Sequence, residues 1–375
     1  MVGAIATHMN FYPVTKKPLY LTLLCGVAFL LVVAVVRGFG ASENLTIEPV
    51  DCLSPSAEDM FTGCAPWNHA LSVEPERGLS WEVDDSFLLN GHTVPTILVL
   101  HGGGYRMFTS SPQRGTISIH GSADGLEWSE LPLRLTAAEL PELCGEVLLD
   151  VSVRYLDNGH YLLQAETWSR PEGVMNIGDA VIEDASLSEN PVTICGWRSI
   201  DGDHWTPVMS KLFEPDDSSW PSGFEVLGVG ADAALYYVDT YPDLDAIRLA
   251  VVSGDSVGEA GSRRTLLERS HVDPDPVSIV GGGVRLYHTH TALTGELGFA
   301  DSDDGVNFGV DRGLIGLSGQ TCYTPPERPS PEDQCMFDPF YLRLPNGQMT
   351  LYFGLFQTLA DGRERKGIGR AFAVD

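Results

Sequence analysis

A self-similar unit recurs along most of this chain, and it constrains the fold more than any other feature. Each copy runs from a short apolar stretch through a Gly turn into an aromatic-rich strand. Clear copies cover 95–108, 150–163, 275–288 and 338–353, and a weaker one covers 225–238. Each reads as two β-strands joined by a tight turn, in which Gly supplies the positive φ that other residues resist.

A second motif follows several units: Ser122-Ala-Asp-Gly-Leu-Glu-Trp128, Ser199-Ile-Asp-Gly-Asp-His-Trp205 and Ser302-Asp-Asp-Gly-Val-Asn-Phe308. The pattern is S-x-D-G-x-x-W/F. Ser and Asp side chains cap the turn, and the aromatic is expected to pack back on its own sheet. Asp124, Asp201 and Asp303 are assigned as turn-formers. A degenerate copy occupies Ser72 to Trp81.

Together the units suggest five blades at roughly 82–130, 140–207, 220–258, 272–312 and 333–374. The last lacks its own S-x-D-G motif, so the segment at 72–81 is expected to complete it and close the ring. Closure removes exposed sheet edges. The fold class is therefore all-β, a five-bladed β-propeller covering 71–375, behind an N-terminal transmembrane signal-anchor helix.

That helix is read from Leu19–Val36, an uncharged apolar run preceded by Lys16 and Lys17 and closed by Arg37. About 20 apolar residues span a bilayer core. The flanking lysines favour a cytoplasmic N-terminus. The run is longer than the roughly 7–15 residues of a signal-peptide core, so an uncleaved anchor is expected, with a cleaved signal peptide as the competing reading. The expected organisation is a cytoplasmic 1–18, a membrane span at 19–37, a stalk at 38–70 and the propeller. The protein is then single-pass with its C-terminal domain extracytoplasmic, or secreted if the N-terminal segment is cleaved.

Acidic residues number 51 against 23 basic ones, for a net charge of −28. Such a surface repels nucleic acid. No cofactor is expected, save a Ca²⁺ held by carboxylates in the central channel. Six of the seven cysteines lie beyond the anchor, an even number suited to an oxidising compartment. Spacing suggests Cys52–Cys64 and Cys322–Cys335, leaving Cys144–Cys195, with other connectivities open. His271, His288 and His290 are close in sequence, and the last two alternate onto one strand face. A third ligand is missing from that pattern, so no metal site is expected.

The D-P…G…L-Y pattern of Asp338 to Tyr352 and the S-x-D-G-x-x-W turns resemble the five-bladed propeller glycosidases of the arabinanase, xylosidase, levanase and invertase type. The resemblance covers the chain from about residue 70. It implies a carbohydrate ligand in a central funnel and acidic residues at the starts of the innermost strands. In that family the first blade supplies an Asp base or nucleophile, the second an Asp that tunes the acid, and the third a Glu general acid. Carried over, the second and third are Asp150 and Glu225. The fourth and fifth blades offer Asp275 (with Asp273) and Asp338. The first-blade position holds Val94, a departure that leaves the base to Asp338 or to Asp85, on a loop upstream. Asp275, Glu166 and Arg154 are the substrate-binding candidates. Trp168, Trp197 and Trp220 are weighed as a sugar platform against core packing.

Three functions follow from this pattern. The first is a membrane-anchored glycoside hydrolase-like protein, and the second a non-catalytic propeller that binds glycan or a protein partner. The third is a lyase or phosphorylase using Arg154, Arg285 and Arg343 to hold phosphate.

Overall fold

The computed structural model describes residues 70–111, 115–156, 159–168, 193–212, 221–227, 233–239, 246–253, 256–257, 264–267, 271–290, 297–314, 334–358 and 364–375. Within strands, a further set of side chains, those of Asp85 and Cys335 and most of β13 among them, is also outside the description.

Two strands, β1 (Ser72–Val73) and β2 (Trp81–Asn90), come first. A four-stranded antiparallel sheet follows: β3 (Thr93–Val99), β4 (Tyr105–Ser111), β5 (Thr116–Ser122) and β6 (Ser129–Thr136). The second sheet is β7 (Val147–Tyr155), β8 (Tyr161–Trp168), β9 (Thr193–Ser199) and β10 (Thr206–Pro207). The third is β11 (Pro221–Leu227), β12 (Ala233–Asp239) and β13 (Ala246–Ser253), with β14 (Ser256–Val257) and β15 (Arg264–Leu267) both on β13. The fourth is β16 (Val272–Ile279), β17 (Val284–Thr289), β18 (Leu297–Ser302) and β19 (Arg312–Gly313), with β1 parallel to the free edge of β16. The fifth is β20 (Gln334–Arg343), β21 (Met349–Thr358) and β22 (Glu364–Ala373), completed by β2 as its outermost strand.

The first strand of each sheet touches the first strand of the next. β3 meets β7, β7 meets β11, β11 meets β16, β16 meets β20, and β20 returns to β3. The fold is a β-propeller around these inner strands.

The repeat has a local cause. In four sheets the first two strands turn through the same pair of hydrogen bonds. Leu100, Leu156, Ile279 and Leu344 each donate N–H across the turn and accept from a Gly within it, at 2.8–3.0 Å. Three of those glycines, Gly103, Gly159 and Gly347, have φ of 77–89°. The strands that follow are largely buried on both faces because each sheet is sandwiched between two others. β8 is buried along its whole length, as a strand covered on both sides must be.

The boundaries differ from expectation at the start. The first unit, expected at 82–130, begins at Thr93, and 81–90 pairs with β22 in the last sheet. The strand that joins that sheet is therefore one segment later than 72–81. Residues 72–73 pair instead with Ser278 and Ile279.

The S-x-D-G turns also differ in one respect. The Asp side chains do cap: Asp124 Oδ1 accepts the N–H of Leu126 and Glu127, and Asp201 Oδ1 those of Asp203 and His204. In the third copy the capping residue is Asp304, one after the Asp303 assigned from sequence. The aromatic does not pack on its own sheet. It stands edge-on against an aromatic of the preceding sheet's second strand: Trp205 on Phe108, Phe308 on Tyr236, Trp81 on Tyr287 and Trp128 on Tyr352. The turn is thus a lock between neighbouring sheets.

Cys144 and Cys195 form a disulfide with Cα atoms 6.0 Å apart, stapling the segment before β7 to β9. Cys52, Cys64, Cys322 and residues 1–69, where the anchor and stalk were expected, lie outside the described residues, as does Trp220. Among the described residues no helix is long and apolar enough to cross a membrane. Trp168 and Trp197 are fully buried core residues rather than a sugar platform.

Candidate functional site

Every inner strand breaks its hydrogen-bond ladder near its start. The ladder skips Val94-Pro95 in β3, Leu149-Asp150 in β7, Gly223 in β11, Asp273-Pro274 in β16 and Asp338-Pro339 in β20. A bulge leaves its residues unpaired and re-aims their side chains. Four of these positions share a left-handed backbone: Val94, Gly223, Asp273 and Asp338, with φ of 48–54°. Non-glycine residues rarely adopt it, and Asp does so far more readily than Val.

The bulges open a narrow cleft where the inner strands meet. Val94, Asp150, Gly223, Glu225, Asp273 and Asp338 line it. Four carboxyl groups from four sheets therefore converge, while the first sheet contributes an apolar wall. Three of the four carboxyls are held from the side. Asp150 Oδ2 accepts the Gly223 N–H at 2.7 Å, which ties the second sheet to the third. Ser152 Oγ donates to Glu225 Oε2 at 2.6 Å. Asp273 Oδ2 accepts from Thr289 Oγ1 at 2.8 Å and from the Asp338 N–H at 3.3 Å.

Removal from water disfavours the charged form of every one of these acids. Burial raises Glu225 well above the usual range, and its electrostatic interaction with the neighbouring Asp275 adds to the shift. Burial likewise lifts Asp338, helped by repulsion from Asp273 and Asp150. Asp150 is also raised by burial, partly offset by a hydrogen bond from the Glu166 carboxyl. Asp273 is pushed up to about 6, by burial and then by Asp150. The cleft thus holds protonated acids beside ionisable ones, the separation of roles that acid–base chemistry requires.

Of the residues chosen from sequence, Asp150, Glu225 and Asp338 are brought together. Asp85 is not. It lies on β2, the outermost strand of its sheet, with β22 and β21 between it and the inner strand β20. In the fourth sheet the cleft residue is Asp273. Asp275 is set two residues deeper, buried, its Oδ2 accepting the Tyr341 N–H at 2.7 Å and its pKa pushed up to about 8 by burial. The bulge adds residues that a simple repeat alignment cannot see, and this moved the match from Asp273 to Asp275. The cue available in the sequence was Asp273-Pro274, which repeats the Asp338-Pro339 pair. Glu166 is fully buried on the second strand of its sheet and meets Asp150 from behind. Arg154 is buried and outside the cleft. Arg285, which is on β17 and not on an inner strand, binds Asp301 and the carbonyls of Pro75 and Arg77; Arg343 binds Glu74. None of these three arginines is among the described residues that line the cleft.

A scan against protein families finds no match, and neither does a search of curated proteins. Solved structures do match. A thermostable family-43 glycoside hydrolase superposes with a TM-score of 0.55 at 13% identity, over 77% of this chain and 92% of its own. An α-L-arabinofuranosidase from Lactobacillus brevis gives 0.52 at 14% identity, over 77% and 92%. A xylan β-1,4-xylosidase from Bacillus halodurans gives 0.55 at 14%, over 76% of this chain but 54% of that one, so this chain spans about half of that enzyme. The domain has the β-propeller fold of these glycoside hydrolases. At such identities the likeness is one of fold.

Proposed function

We propose that this chain is a glycoside hydrolase-like propeller of five blades that acts on a carbohydrate bound in the acidic cleft. The observation that carries the reading is the convergence of Asp150, Glu225, Asp273 and Asp338 on one cavity. Glycosidic cleavage uses one carboxylic acid to protonate the leaving oxygen and a second carboxylate to attack or to activate water. Glu225, protonated and steadied by Ser152, takes the acid role. Asp273 and Asp338 hydrogen-bond across adjoining sheets and supply the second carboxylate as a pair. Asp150, tied to the backbone two residues from Glu225, positions that acid.

The deciding experiment measures reducing ends released from a panel of oligosaccharides by the full-length protein. Glu225→Gln and Asp150→Asn should each abolish release while far-UV circular dichroism is unchanged. Normal turnover in both variants would sink the assignment.

One observation favours a second reading, a binding propeller without catalysis: the first-sheet wall of the cleft is Val94, not an acid. Binding on a glycan array with no reducing ends released from any bound sugar would select it. In either case we place the domain outside the cell, tethered by Leu19–Val36. Protease treatment of intact cells tests this, because an external domain is shaved off and an internal one survives.

A further inference from the structure

Behind the fourth sheet's cleft residue lies a second cluster that the glycosidase reading does not use. His271 immediately precedes β16, His288 is on β17, His290 follows it, and Asp311 immediately precedes β19. The three rings point their Nε2 atoms at one carboxylate. His288 Nε2 is 2.9 Å from Asp311 Oδ1, and His271 and His290 Nε2 are each 3.2 Å from Oδ2. The rings are crowded, with His271 centroids 4.9 Å from His288 and 5.3 Å from His290.

We propose that His271, His288, His290 and Asp311 form a four-ligand site for a zinc-class divalent cation. A tetrahedral ion with bonds of about 2.0–2.2 Å sets its ligand atoms about 3.3 Å apart. The donor atoms of His271, His288 and Asp311 already lie within 4.8 Å of one another, and His290 reaches the same carboxylate from the open side at 3.2 Å. Three imidazoles and one carboxylate are a donor set for Zn²⁺ and its neighbours, whereas Ca²⁺ asks for six to eight oxygens. The sequence pattern lacked a further ligand, and the fold supplies it in Asp311, 40 residues beyond His271.

A second observation is the space left for this arrangement. Gly298 on β18 faces His288 across the ladder. A methyl group on Gly298 would fall 2.9 Å from His288 Cε1 and 3.2 Å from Asp311 Oδ1. The residue opposite the cluster is thus one that leaves both side chains their approach. Access is graded as well: the His288 side chain is 0% exposed, His271 13%, Asp311 21% and His290 43%. An ion enters past His290 and meets a buried nitrogen last.

With all four positions filled by protein the site is structural, holding rather than reacting. It ties together the start of β16, the end of β17 and the segment before β19. Thr289, between two of the histidines, donates to Asp273 Oδ2. The ion would therefore brace the strand end that positions a cleft acid. The proposal is independent of what the cleft binds.

The test uses full-length protein in detergent, stripped with EDTA and titrated with Zn²⁺. One Zn²⁺ per chain should remain bound through gel filtration and raise Tm, and Co²⁺ should give the visible spectrum of a four-coordinate site. His271→Gln and His290→Gln should keep the far-UV spectrum and weaken Zn²⁺ by more than the ~10–100-fold that loss of an outer-shell partner costs. Asp311→Asn, which preserves shape, should do the same. His204→Gln, on an exposed turn, should bind as the parent does. Failure to retain Zn²⁺ at low-micromolar concentration overturns the proposal, as does affinity unchanged in all three ligand variants.

Discussion

Val94 is a β-branched residue held at φ 53°, where the equivalent positions in two other sheets carry Asp. Such a conformation costs of order 1–3 kcal/mol for a residue that resists it. Asn tolerates the left-handed region better, so Val94→Asn should raise Tm by a few degrees in a thermal scan, at about 2–4 °C per kcal/mol for a domain of this size. Asp275 illustrates the opposite case. Its buried carboxyl is neutral at pH 7 and serves the fold by accepting from Tyr341. Asp275→Asn keeps an acceptor for that N–H and should leave the far-UV spectrum intact.

At the scale of elements, the S-x-D-G turn is a lock whose parts are interchangeable. The copy at 72–81 has no Asp at the motif position, yet its geometry is kept. Trp81 Nε1 donates to the Gly78 carbonyl at 3.0 Å, as Trp128 does to Gly125 and Trp205 to Gly202. The capping carboxylate comes from Asp375, which accepts the N–H of Gly78, Leu79 and Ser80 at 2.8–2.9 Å. Loss of a comparable cap costs about 0.5–2 kcal/mol. Asp201→Ala should lower the urea midpoint accordingly. Asp375→Ala, which frees three N–H groups and loosens the seam between β2 and β22, should lower it at least as far. Equal midpoints for Asp375→Ala and wild type would show that the seam does not depend on this cap.

For the molecule as a whole, the acidic cleft sets how stability depends on pH. The native state keeps protons on Asp275, raised to about 8, and on Glu225, raised well above its usual value. The unfolded chain releases the same protons near pH 4. Between those limits the native state binds more protons, so stability falls as pH rises. The groups facing Asp275 are Glu225 from β11 and Tyr287 from β17, and neither supplies a positive charge to reverse the sign. Tm should therefore decline from about pH 7 to pH 8, where His120 and His288, kept neutral by burial, no longer oppose the trend, and Asp275→Asn should flatten that slope. Below about pH 4 the trend reverses, because Asp201 and Asp304 are held below the usual range by the backbone N–H groups they cap. The Cys144–Cys195 bond contributes independently of pH, and its reduction should lower Tm across the range.

The repeat of apolar run, Gly turn and aromatic strand is a matter of local physics. Strand alternation, turn glycines and capping aspartates act over fewer than ten residues, so the propeller, its hairpins and its S-x-D-G turns were legible in the sequence, as were Asp150, Glu225 and Asp338 as cleft residues. Bulges and long-range pairings leave no such local trace. Which Asp of Asp273 and Asp275 faces the cleft, the place of Asp85 on an outer strand, the substitution of Asp375 in a distant turn and the arrival of Asp311 among three histidines were decided only in three dimensions. Each depends on how the inner strands register against one another, and register is set by the packing of whole sheets.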